Sequence, residues 1–120
     1  AADADFLRAQ GFHVIRVAHS AASFASMTGP VLVEASRGTL PGGNGAAWDW
    51  KVPNPRHVPF AIAGGISPAN ARAALAASGA AALDVSSGVE TAPGVKSAAA
   101  LRALARALSG LPPPASRFWR

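Results

Sequence analysis

The feature that most constrains this chain is a rhythm repeated four times. A short β-branched or Leu-rich run ends at glycine or polar residues, and most such runs lead into an Ala-rich stretch of helical character. The runs are His13 to Ala18 (HVIRVA), Val31 to Glu34 (VLVE), Pro59 to Ala63 (PFAIA) and Ala82 to Val85 (ALDV). The first is followed by a short helix expected over Ala21 to Met27, which Gly29 and Pro30 terminate. After the third, Ser67 reads as an N-cap with Pro68 at the first helical position, and the helix should run to about Ser78 with Gly79 closing it. A last helix is expected from Ser97 to Leu108. After Gly110, the prolines Pro112 to Pro114 cannot continue a helix, so an exposed tail is expected over 111–120.

Strand and helix alternate too regularly for an all-β fold or a helix bundle. Strands with little polar alternation suit a parallel sheet covered by helices. Pattern alone leaves a doubly wound sheet open. The unusual residues favour a barrel: Glu34, the pair Gly64 and Gly65, and the turn Ser86-Ser87-Gly88 all fall just after strand C-terminal ends. That is the face on which (β/α)8 barrels place their sites. Four βα units, over residues 1–110, make half of such a barrel.

The 120 residues are half apolar, enough to build a packed core. The opening Ala-Ala-Asp-Ala-Asp-Phe-Leu-Arg-Ala-Gln is helix-like from its first residue, which is not Met, so the chain is expected to begin inside a larger protein. No window approaches a membrane span and no signal peptide is evident, which points to a cytoplasmic protein with no membrane partner. There is no Cys, which removes disulfides and thiolate chemistry from these residues. Eleven Lys and Arg outnumber six Asp and Glu. They are scattered instead of gathered with stacking aromatics, so no nucleic-acid partner is expected. His13, His19 and His57 lack metal-ligand spacing, and no metal site is expected.

Two turns carry the chemistry. Ala63-Gly64-Gly65-Ile66-Ser67-Pro68 joins a strand to a helix start, and its glycines let backbone N–H groups approach an anion without Cβ obstruction. Ser86-Ser87-Gly88 is expected to repeat that geometry one strand further on, the two together forming a phosphate cradle. Glu34 is the carboxylate at the end of the second run, positioned at the mouth, where a partly protonated carboxyl group can act as a general acid. Loop amides could equally satisfy it as a structural residue. Asp84 lies inside an apolar run, where an uncompensated charge is costly. It either accepts hydrogen bonds from neighbouring loops or faces a substrate. The segment Pro41-Gly42-Gly43-Asn44-Gly45-Ala46-Ala47-Trp48-Asp49-Trp50 reads as a mobile site loop anchored at its aromatic end.

Three strings, LPGGNGAAWDW, AIAGGISPANARAAL and LDVSSGVETAPGVK, resemble signatures of the phosphoribosylanthranilate isomerase family in the right order. The SSGVE segment followed by PGVK separates it from other phosphosugar barrels that share the glycine loops. The resemblance runs from Phe6 to about Leu108 and places the chain at strands five to eight of the barrel. It implies an Amadori rearrangement of N-(5-phosphoribosyl)anthranilate in tryptophan biosynthesis, without a cofactor. It also implies that Glu34 is the general acid, Gly64, Gly65, Ser86, Ser87 and Gly88 hold the phosphate, Gly42 to Gly45 form a substrate loop, and Asp84 stands behind them.

The family's general base, a Cys at the end of strand one, is absent here, as is the half that carries it. The family's acid is Asp, and Glu34 is longer by roughly 1.5 Å, one carbon–carbon bond. A displacement of about 1 Å can cost on the order of a hundredfold in rate. Trp48 stands where the family usually has Phe. The expected partner is the missing half barrel, or a second copy joined through the open strand edges, and the chain alone should be a poor catalyst. The alternative reading is a non-catalytic, phosphate-binding assembly module.

Overall fold

A computed structural model of the chain describes residues 2–34, 50–54, 58–114 and 118. The elements run α1 (Ala2–Ala9), β1 (Arg16–Ala18), α2 (Ala21–Ala25), β2 (Val31–Glu34), β3 (Phe60–Ala63), α3 (Ala71–Ser78), β4 (Ala82–Asp84), a 3₁₀ turn (Ser87–Val89), β5 (Glu90–Ala92), β6 (Val95–Lys96) and α4 (Ala98–Leu108). Strands β1 to β4 form one sheet in sequence order, every pair parallel. The two short strands β5 and β6 form a separate antiparallel hairpin.

Register explains which residues face the helices. Val31 pairs with Phe60, and Val33 with Ile62, which in turn pairs with Leu83. Neighbours in register point to the same side of a sheet, so these five side chains share a face. They pack with Phe24 of α2, Ala71, Ala74 and Leu75 of α3, and Leu104 and Leu108 of α4. The Phe24 and Phe60 rings lie 5.4 Å apart in a tilted pair. Ile62, Val31 and Val33 are the largest fully buried side chains, each contributing about 1.5–3 kcal/mol relative to exposure. Among the described residues α2, α3 and α4 all pack on one face, whereas a doubly wound sheet carries helices on both. The arrangement is that of half a (β/α)8 barrel.

The opposite face carries Val17, Leu32, Ala61 and Ala82, with Glu34, Ala63 and Asp84 in register at its C-terminal end. Edge strand β1 leaves Val17 42 % exposed, and Ile15 just before it 40 % exposed. Trp50, at the aromatic end of the Gly-rich segment, is buried in the core cluster beside the partly buried Val52 and Val58. Pro112 to Pro114 are exposed.

Several boundaries differ from expectation. Strand β1 starts at Arg16, because its partner β2 begins at Val31, the residue paired with Arg16. Strand β4 stops at Asp84, opposite Ala63, because Gly64 then turns the neighbouring chain away. Helix α2 ends at Ala25, short of Met27. The regular part of α3 starts at Ala71, not Pro68, although Ser67 O already accepts the Ala71 N–H at 2.9 Å. Helix α4 agrees well with expectation, with the Ser97 side chain accepting from Ala100 N at 3.1 Å.

Arg72 of α3 reaches the far end of α4, donating to Ala107 O at 3.0 Å and Ser109 O at 3.2 Å. A cation at the carbonyl end of a helix complements its dipole as well as satisfying the terminal groups. Among the described residues, no helix is long and apolar enough to cross a membrane.

Candidate functional site

The first turn leaves β3 at Ala63 and reverses through Gly64 (φ 95°) and Gly65 (φ 70°). Left-handed backbone is strained for residues with a Cβ, so two glycines in succession are what the reversal needs. Ile66 then drives its side chain into the core at 3 % exposure. The half-buried Asn70 ties the turn together: its Oδ1 accepts the Ser67 N–H and its Nδ2 donates to Gly65 O, each at 2.8 Å. The bond to Ser67 is one arm of a capping box, an N3 side chain reaching back to the N-cap amide. Asn70 was assigned no role from sequence, although the spacing Ser-Pro-Ala-Asn is that motif's signature with Asn in the last place.

The second turn does not repeat the first. Ser86 (φ −123°, ψ −86°) leads into the 3₁₀ turn Ser87–Val89, and Val89 N donates to Ser86 O at 3.3 Å. Gly88 has no left-handed φ. Its requirement is space: a Cβ there would lie 1.8 Å from Ile66 O and 3.1 Å from Ser67 Cα. The two turns are therefore in direct backbone contact, at the same end of adjacent strands.

A hairpin braces this second turn. Lys96 donates to Ser86 O at 3.1 Å and to Ser86 Oγ at 3.3 Å, and pairs with the Glu90 carboxylate. The other Glu90 oxygen accepts the Gly94 N–H at 3.2 Å. The Lys96 hydrogen bond and then the Gly94 amide hold the Glu90 pKa below its ordinary value, against the opposing effect of desolvation, with the Lys96 charge adding to the lowering. Neither residue was singled out from sequence. The signal was Pro93-Gly94 flanked by Glu-Thr-Ala and Val-Lys, which reads as a turn between two short strands.

Glu34 pairs with Ala63, and Ala63 with Asp84. Adjacent strands lie roughly 4.8 Å apart, so the half-buried Glu34 stands one strand from the start of the first turn, on the same face as Asp84. Asp84 is exposed at the end of β4. Gly42, Gly43, Asn44 and Gly45 lie outside the described residues, as do Trp48, Asp49 and His57. His13 and His19 are exposed, and among the described residues no group of three or more His, Asp or Glu could hold a metal. The arrangement brings the two glycine-containing turns into contact, with the Glu34 carboxyl group one strand from the first of them.

A profile of the family described as N-(5'phosphoribosyl)anthranilate (PRA) isomerase matches residues 9–107. Curated proteins named N-(5'-phosphoribosyl)anthranilate isomerase are similar across much of the chain. That of Paramagnetospirillum magneticum is 49 % identical over 73 residues, 59 % of this chain and 34 % of the relative. That of Acidiphilium cryptum is 56 % identical over 64 residues, 52 % of this chain and 31 % of the relative. That of Desulfatibacillum aliphaticivorans is 42 % identical over 101 residues, 78 % of this chain and 46 % of the relative. The chain thus spans between 31 % and 46 % of the length of these relatives. No solved structure matches. The half-barrel sheet and the family match agree, and the chain belongs to the phosphoribosylanthranilate isomerase family.

Proposed function

We propose that this chain supplies the phosphate-holding half, and the general acid, of an active site that isomerises N-(5-phosphoribosyl)anthranilate in tryptophan biosynthesis. The observation that carries the reading is the contact of Gly88 with the Ile66 carbonyl. It joins two donor-bearing turns beside Glu34. In this reading Gly64, Gly65, Ser86, Ser87 and Gly88 hold the phosphate, Gly42, Gly43, Asn44 and Gly45 cover the substrate, and Asp84 lies behind them. Glu34 protonates the ribose ring oxygen as the C1–O bond breaks, leaving a Schiff base. A base from the other half of the barrel removes the C2 proton, and the resulting enolamine tautomerises to the ketone. Each step moves protons and bonding electron pairs within the substrate and needs no outside oxidant or reductant, so no cofactor is required.

The sheet is completed, in the same proposal, by four further strands. Exposed Ile15 and Val17 mark one open edge. The other edge, β4, borders a groove of about 490 Å³ lined by Leu75, Leu83, Asp84, Leu104 and Leu108 among others. Both edges invite a parallel strand. The whole enzyme would act in the cytoplasm, with residues 111–120 as a tail outside the barrel.

The test is Glu34→Gln in the intact protein, following the fluorescence of the anthranilate substrate. General acid catalysis is worth about 10²–10⁴-fold, so kcat should fall by at least about a hundredfold with KM little changed. An unchanged kcat dismisses Glu34 as the acid. Absence of turnover in a folded wild-type barrel, together with retained binding of ribose 5-phosphate, would favour a non-catalytic phosphate-binding module instead.

A further inference from the structure

We propose that Asn70 is a positioning residue that sets the direction of the backbone dipoles in the first turn, so that amides and not carbonyls face the anion. The inference rests on the phosphate reading above and adds a residue that never touches the ligand.

A turn with two consecutive left-handed glycines, Gly64 and Gly65, is easily flipped. Without a Cβ, a peptide plane next to glycine can rotate by about 180° at little steric cost. Flipping exchanges an N–H for a C=O at the mouth, which turns an anion site into one that repels anions. Something must choose between the two arrangements.

The Asn70 amide meets the two peptide planes on either side of Ile66. The first contains the Gly65 carbonyl, which accepts from Nδ2, and the second contains the Ser67 N–H, which donates to Oδ1. In a trans peptide the carbonyl and the N–H point in opposite directions. With its carbonyl drawn to Asn70, the Gly65–Ile66 plane directs the Ile66 N–H away from Asn70. The second plane is fixed twice, since its carbonyl is the Ile66 oxygen against which Gly88 packs. The Ile66 side chain, buried in the core between these planes, prevents the turn from rotating as a unit. One side chain therefore orders both the donor turn and its seam with the second turn. The Ser67 N–H is engaged by Asn70, which leaves Gly65 and Ile66 as the amides to be read by the test.

Two variants separate this role from general stability. Asn70→Ala removes both hydrogen bonds. Asn70→Asp is nearly isosteric and keeps an acceptor for Ser67 N–H, but places an oxygen against the Gly65 carbonyl and so favours the flipped peptide. Inorganic phosphate, as a competitive inhibitor of the intact protein, is the probe. Its inhibition constant and the substrate KM should rise about tenfold in Asn70→Ala and further in Asn70→Asp, while kcat changes less than threefold. Phosphate should shift the amide resonances of Gly65 and Ile66 in the wild type and much less in either variant.

Phosphate inhibition equal to wild type in a folded variant overturns the role of Asn70, even if that variant melts earlier. Should Asn70→Ala not fold, Asn70→Asp decides alone. Should the wild-type Gly65 and Ile66 amides ignore phosphate altogether, the anion pocket itself falls, and this inference with it.

Discussion

The two turns at the C-terminal end of the sheet both contain glycine, but they need it for different physical reasons. At Gly64 and Gly65 the demand is conformational, with φ of 95° and 70°, a region that is strained for most residues with a Cβ. At Gly88 the backbone is ordinary, and the demand comes from a neighbour: the Ile66 carbonyl occupies the place of a Cβ. The bracing differs as well. The first turn is held by a neutral amide, Asn70, and the second by an ion pair, Glu90 with Lys96. A conformational glycine tolerates substitution at the cost of local strain. A contact glycine transmits its substitution to another turn.

That contrast can be broken most directly at Gly88. Gly88→Ala must displace the backbone of the other turn, and forced overpacking typically costs about 1–3 kcal/mol, occasionally more. The expected result is the largest of the series, a fall in melting temperature on the order of 10 °C, with loss of phosphate inhibition. A variant that melts normally and still binds would show that the two turns are not in rigid contact.

A smaller effect is expected at Gly65. Gly65→Ala adds the strain of the left-handed conformation, roughly 1–2 kcal/mol, without the backbone contact that Gly88 makes. Melting should drop by a few degrees, and the amide resonances of Ser86 to Val89 should stay in place. Movement of those resonances as large as in Gly88→Ala would erase the distinction between the two kinds of glycine.

The smallest effect concerns the bracing. The folded pKa of Glu90 lies below its ordinary value of 4.5. Its contribution to stability is therefore complete above about that pH and is lost as the pH falls through the lowered value. The hairpin is exposed, so the loss is small. Between pH 6 and 8 no change should be seen in the Lys96 and Gly94 resonances, and below pH 4.5 they should shift together. In the first turn, Asn70 carries no titratable group, and its amide contacts should persist through the same acid range. A change near neutral pH at the hairpin would remove Glu90 as its cause.

The sheet was legible from sequence because burial on the helix face, from Val31, Val33, Phe60 and Ile62, imposes apolar runs that survive in any reading. The barrel direction was legible because glycine and polar residues gather at one strand end. What escaped was set by partners far along the chain. Residues 13–15 look like strand but lie ahead of the paired register, because β2 starts only at Val31. The start of α3 depends on a side chain that bends back into the preceding turn. Strands β5 and β6 span three and two residues, too few for a period to show, and they persist through Glu90, Gly94 and Lys96.

The hold of Arg72 on the last turn of α4 has a further consequence. Its two acceptors, Ala107 O and Ser109 O, lie 35 and 37 positions along the chain, so one guanidinium staples successive βα units at the end remote from the site. The helix that leaves the first turn is thereby fastened at its start to the foot of the final helix.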